Sequence, residues 1–181
     1  MSAPRRNTNE DEVDHIIDEW LRERPDVDPS SIGTIGRITR LSGIQTIMLR
    51  GVHEQFGLSP AAFDVMASLR RSGPPYRKTA GELADSSLLT SGGVTLRLDR
   101  LEADGWVRRV RSSDDRRVVY AELTEKGLAA IDAVFDAHIR AEQELLRELS
   151  STERRQLNDL LRRLLRSFSE VFEESGSSSL G

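Results

Sequence analysis

Cysteine is absent from the 181 residues, which excludes disulfides, thiolate metal sites and thiol-based oxidant sensing. Aromatic side chains make up only 5% of the chain, too few for a large sandwich or barrel and in keeping with a helical protein that leaves much surface in water. Histidine is scarce as well. His15, His53 and His138 lie far apart, without the close spacing that holds zinc, so neither a metal nor another cofactor is expected. Long apolar runs are missing, and the start MSAPRRNTNEDEVD lacks a hydrophobic signal region. A cytoplasmic protein with no membrane partner is the expectation. Missing too are a nucleophile–base pair and a phosphate-cradling glycine loop, so the chain does not read as an enzyme.

What the chain does have is an uneven charge. Its formal net charge is −4, which argues against a nucleic-acid partner until the distribution is considered. Between Ser68 and Ala121, eleven arginines and lysines face seven carboxylates. The rest of the chain is therefore strongly acidic. A basic module in an acidic scaffold can engage DNA through one face while the remainder resists nonspecific adhesion.

The centre of that module reads TAGELADSSLLTSGGVTLRLDRLEADGWVRRVRSSDDRRVVYAELT, from Thr79 to Thr124. Thr79 with Glu82 forms a capping box that starts one short helix. A connection follows at Ser86 to Leu89. Thr90 or Ser91 then caps a second helix to Ala103, with Val94, Leu98 and Leu101 as its apolar stripe. Ser91, Gly92, Gly93, Thr95, Arg97 and Arg100 fall on its other faces. Two glycines weaken a helix, so Gly92 and Gly93 are read as allowing close backbone approach to DNA. Thr90, Ser91, Thr95, Arg97 and Arg100 are the candidates to reach bases or phosphates. After Gly105 the pattern has period two on both sides of a polar turn, which predicts a β-hairpin. Its tip carries Asp114, Asp115, Arg116 and Arg117. An arginine there can enter the minor groove, held in pose by Asp115. A recognition helix followed by such a hairpin is a winged helix-turn-helix, in a mainly α protein with a small β-hairpin wing.

Long helices bracket this module. Ile35, Ile38, Leu41, Ile44, Met48, Val52 and Phe56 mark one from about Ile32 to Phe56, and Ser59-Pro60 starts another. Thr124 opens a further helix, and Ser150 with Glu153 boxes the start of the last. An additional amphipathic helix, Asp11 to Arg24, carries Trp20. The organisation expected is a disordered 1–9, N-terminal helices over 10–58 for dimerisation and a ligand pocket, a DNA-binding lobe over 59–123, C-terminal dimerisation helices over 124–174, and a disordered 175–181. Helices of this length and amphipathicity need partners, which predicts a helical homodimer. Two recognition helices about one DNA turn apart, ~34 Å, predict an inverted-repeat operator.

The run LTSGGVTLRLDRLEADGWVRRV, then DDRR, then ELTEKG resembles the MarR (multiple antibiotic resistance regulator) family. The resemblance spans about Ile32 to Phe172. It implies a triangular homodimer in which the helix with Thr95 and Arg100 reads the major groove of double-stranded DNA and Arg117 enters the minor groove. Family habit further implies a repressor. The added N-terminal helix and LSPAAFDVMASLRRSGPPYRKTAGEL resemble the PecS-like, urate-responsive branch, whose ligand-site Trp, Asp and Arg match Trp20, Asp64 and Arg97. Ser72 stands where urate-binding members carry Asn, so a urate-like anion or a small carboxylate such as trans-aconitate or citrate is the implied effector. His53 is counted with that pocket.

The site also makes chemical sense on its residues alone. Trp20 offers a flat apolar platform, Arg97 a bidentate donor, and Asp64 an acceptor for Arg97 when no anion is bound. Two other readings remain open at this point. One is an architectural DNA-binding protein without an effector. The other is a small enzyme using Asp64, Arg97 and a histidine.

Overall fold

The computed structural model describes residues 10–86, 93–115 and 117–177. In chain order these form α1 (Glu12–Glu23), α2 (Ser31–Glu54), α3 (Pro60–Arg71), β1 (Arg77–Thr79), α4 (Ala80–Ser86), α5 (Val94–Ala103), β2 (Val107–Arg111), β3 (Val119–Leu123), α6 (Glu125–Leu145) and α7 (Ser151–Ser177). The chain divides into two compact units between Val134 and Phe135, within α6. Among the described residues no helix is long and apolar enough to cross a membrane.

The first unit is organised by helix starts that the sequence encodes locally. Asp11 caps α1, accepting from the backbone N–H groups of Val13 and Asp14, while Asp14 accepts from the Asp11 N–H. Ser59 caps α3 and Pro60 follows at its first position, where the missing N–H costs nothing. Thr79 and Glu82 form the reciprocal box at α4, and these bonds hold the Glu82 carboxyl below its ordinary range. Apolar faces of α3, α4, α5 and the start of α6 close over the sheet, burying Met66, Leu69, Leu83, Val94, Leu98, Leu101, Ile131 and Val134.

The sheet has three antiparallel strands in the order β1-β3-β2, so the hairpin read from the sequence has an additional partner. β1 is short and pairs Arg77 with Glu122 and Thr79 with Tyr120. β2 pairs Val107 with Leu123 and Arg111 with Val119. α1 packs on α2 through Val13, which is buried against Gly36. Arg37 of α2 fixes the contact by donating to both Asp11 and Asp14.

In the second unit, Arg154 donates to the carbonyls of Leu146 and Leu149, satisfying the orphan acceptors between the two helices. Ser150 and Glu153 box the start of α7. α7 then runs to Ser177, three residues past the end read from the sequence, because adding a residue to a formed helix costs far less than starting one. Leu160, Leu165, Phe168, Val171 and Phe172 lie exposed along it.

Candidate nucleic-acid and ligand sites

Helix α5 buries Val94, Leu98 and Leu101, each at most 4% exposed. At about 100° per residue the opposite face carries Thr95, Leu96, Asp99 and Arg100, all exposed. Gly93 is its N-cap. A β-carbon there would lie 2.5 Å from Nη1 of Arg97, whose guanidinium folds back over the glycine. That neighbour is the end of a flexible side chain and the Gly93 backbone is right-handed, so this contact alone does not demand glycine. Thr90, Ser91 and Gly92 lie outside the described residues.

Arg109 of β2 ties the wing to this helix. Its guanidinium donates to Asp99 at 2.5 Å and to Glu102 at 2.7 Å, and its backbone N–H donates to Glu102 at 3.1 Å. The two carboxylates stand one turn apart on the same side of α5. This strut was not read from the sequence, although the three-residue spacing of Asp99 and Glu102 opposite an arginine-rich strand is a usable signal. A second pair, Arg108 with the largely buried Glu122, holds β2 to β3.

At the tip of the wing, Arg117 donates through Nε and Nη2 to the two oxygens of Asp115, at 3.2 and 3.3 Å. The backbone N–H of Arg117 also donates to Asp115 at 2.9 Å. That backbone bond, followed by the guanidinium, holds the Asp115 carboxyl below its ordinary value. The Arg117 side chain remains 93% exposed. Asp115 therefore aims Arg117 without hiding it. Arg116 lies outside the described residues.

The residues read as a ligand site are distributed as follows. Arg97 lines an open cleft of about 440 Å³ with Gly57, Ser59, Ala62, Arg100 and Trp106. Its Nη1 is buried and has no hydrogen-bond partner among the described residues. Asp64 stands on α3, which packs against α5. The adjacent Phe63 stacks on His53, with ring centroids 4.2 Å apart and planes 18° off parallel. His53 is only 3% exposed, so it is a core neighbour of Asp64's helix. Ser72 ends α3 and donates its hydroxyl to the Leu69 carbonyl at 2.6 Å. Trp20 is half-exposed on α1 and borders a separate cleft of about 290 Å³ with Arg24, Val27, Pro29 and Ile32. Trp20 and Arg97 thus line different clefts.

A helix pair followed by a strutted, arginine-tipped hairpin defines a winged helix-turn-helix DNA-binding protein. The chain belongs to the MarR family of transcriptional regulators, whose sequence profile matches residues 56–118. It is similar to the HTH-type transcriptional regulator PecS of Dickeya dadantii, at 37% identity over 84% of this chain and 92% of that protein. The HTH-type transcriptional regulator MhqR of Bacillus subtilis is 32% identical over 65% of this chain and 78% of its own length. Among solved structures, a mutant MarR from E. coli complexed with operator DNA aligns with a TM-score of 0.63 at 26% identity, covering 81% of this chain and 97% of that one. AbsC of Streptomyces coelicolor shares the fold, with a TM-score of 0.65 at 22% identity, over 79% of this chain and 95% of AbsC. The protein is therefore a DNA-binding transcriptional regulator, and its relatives are regulators rather than enzymes.

Proposed function

We propose that the protein is a homodimeric repressor that binds an inverted-repeat operator and releases it on taking up a small anion. α5 enters the major groove with Thr95 and Arg100 toward the bases, and Arg117 enters the minor groove. Support for this placement comes from the likeness to E. coli MarR, which was solved with operator DNA. The exposed apolar side chains Leu41, Ile44 and Ile47 on α2, and those of α7, are surfaces that a second copy would cover.

One observation carries the ligand response. Arg97 stands on the recognition helix, yet its guanidinium turns into a cleft where Nη1 is buried and meets no acceptor among the described residues. A buried donor in that state costs about 1–3 kcal/mol, which a bound carboxylate or enolate would recover. Anion uptake at Arg97, with Asp64 and Ser72 from the neighbouring α3 and His53 from α2, would re-aim α5. Trp20, which borders its own cleft, would join the site by a movement of α1 on uptake. Ligand and DNA then prefer different poses of one helix and compete. A coupling of about 1–3 kcal/mol corresponds to a release of roughly 5- to 150-fold.

A gel shift with the DNA upstream of the protein's own gene tests this, using an unrelated duplex as control and urate, trans-aconitate and citrate as candidate effectors. Selective binding, abolished by one of these anions, is the expected result. Equal binding to both duplexes would instead favour the architectural reading, and turnover of an anion would favour an enzyme.

A further inference from the structure

The outer face of α5 has one side chain that does not fit a polar, water-facing surface. Taking 3.6 residues per turn, the buried stripe Val94, Leu98 and Leu101 centres at about 10° from Val94, and position 96 lies at about 200°. Leu96 thus lies almost opposite the core, as does the small Ala103, and Leu96 is 56% exposed. Its neighbours on that face are Thr95, Asp99 and Arg100. Asp99 is already neutralised by Arg109. What remains outward is an isobutyl group flanked by a hydroxyl and a guanidinium.

We propose that Leu96 contacts thymine 5-methyl groups, so that part of the operator is read by apolar contact at the centre of the recognition helix. The inference rests on the reading that α5 lies in the major groove. There, thymine is the one base that offers an apolar group, while guanine and adenine offer acceptors suited to Arg100 or Thr95. The surroundings favour a polyanion over a protein as the occupant. Arg100 is exposed on the same face, beside the edge of the cleft that Leu96 also borders, and Arg117 projects from the wing. A lone leucine between a threonine and an exposed arginine is too small for an apolar protein-docking patch and has the composition that a groove edge accepts.

The test uses the full-length protein and duplexes obtained by selection from a random library. In a selected duplex each thymine is replaced in turn by deoxyuridine, which removes only the 5-methyl group and keeps the pairing. Wild-type protein is expected to lose about fourfold in affinity at one or two thymines per half-site, the equivalent of one buried methyl group each. Leu96→Ala is expected to bind the thymine duplex correspondingly less well and to be indifferent to deoxyuridine at those same positions, with the salt slope and thermal unfolding unchanged. Retained sensitivity at every thymine would overturn the proposal. So would an equal loss on selected and random duplexes, which would place Leu96 in folding or assembly, or a Leu96→Ala protein altered only in anion response, which would place it in the ligand cleft. If no duplex is enriched at all, the placement of α5 in DNA fails first, and the role of Leu96 falls with it.

Discussion

Gly127 of α6 faces the backbone carbonyl of Trp106 so closely that a β-carbon would lie 1.9 Å from that oxygen. The same short segment closes the end of the recognition helix. Thr124 donates its hydroxyl to the Gly105 carbonyl at 2.8 Å and accepts from the Gly127 N–H at 3.0 Å. Lys126 donates to the Asp104 carbonyl at 2.8 Å, beyond the last turn of α5, and its ammonium sits 5.9 Å from the centre of the Trp106 ring. The run ELTEKG is therefore a joint between α5 and α6.

Gly127→Ala is accordingly expected to destabilise the protein by about 3 kcal/mol or more, because the contact is with backbone that cannot rotate away. Alanine gains about 1 kcal/mol of helix propensity over glycine, which offsets only part of this. Urea unfolding measures the difference. A variant as stable as the parent would mean that α6 and Trp106 separate without cost.

The Arg109 strut leads to a different expectation, one concerned with binding. Its ion pairs are more than a third exposed, so Arg109→Ala should cost stability under about 1 kcal/mol. The wing, however, loses its fixed angle to α5. Operator affinity should then fall about tenfold or more while the salt slope barely changes, since no phosphate contact has been removed. Glu102→Ala should act in the same direction but more weakly, because Arg109 keeps its pair with Asp99. A double-mutant cycle with both changes should give less than additive losses; strict additivity would show that the two side chains act separately.

Much of this architecture is legible from local chemistry. The boxes Thr79–Glu82 and Ser150–Glu153, the Ser59-Pro60 start and the stripe Val94, Leu98, Leu101 each lie within a few residues of chain, so their signals survive in sequence. Asp115 and Arg117 are two residues apart, and their pairing could be anticipated. β1 could not. Arg77–Thr79 has no alternation of its own and is a strand because β3 offers it a partner. Likewise, no spacing reveals that Trp20 and Arg97 border separate clefts, or that Arg37 reaches back across 26 residues to Asp11. Those relationships are set by packing between elements.

Arg117→Ala should weaken binding to selected and unrelated duplexes alike and reduce the salt slope by about 1.8, about 0.9 for each of the two charges lost from the dimer. Folding stability should not change, because the side chain is almost fully exposed. Asp115→Asn should act in the same direction but more weakly, since it loosens the pose of Arg117 while keeping its charge. Salt titrations of affinity check both, and an unaltered slope in Arg117→Ala would remove the wing from the interface.

The clamp on α1 is sensitive to pH and salt. Arg37 holds the Asp11 carboxyl down to about 2 and lowers Asp14 as well. For a carboxylate depressed in the folded state, the stabilisation is complete above its unfolded value of about 3.9 and is lost as pH falls toward the folded value. α1 should therefore stay docked throughout neutral and mildly acidic conditions and loosen only between about pH 4 and pH 2. The pairs are exposed, so added salt should loosen it too. Arg37→Ala should bring the loosening to neutral pH, seen as faster amide hydrogen exchange across Glu12–Glu23 with α3 to α5 unaffected. Because α1 carries Trp20, this variant should also bind operator normally yet respond poorly to the releasing anion, as Trp20→Ala should. A freely exchanging α1 combined with a full anion response would show that Trp20 has no part in the ligand site.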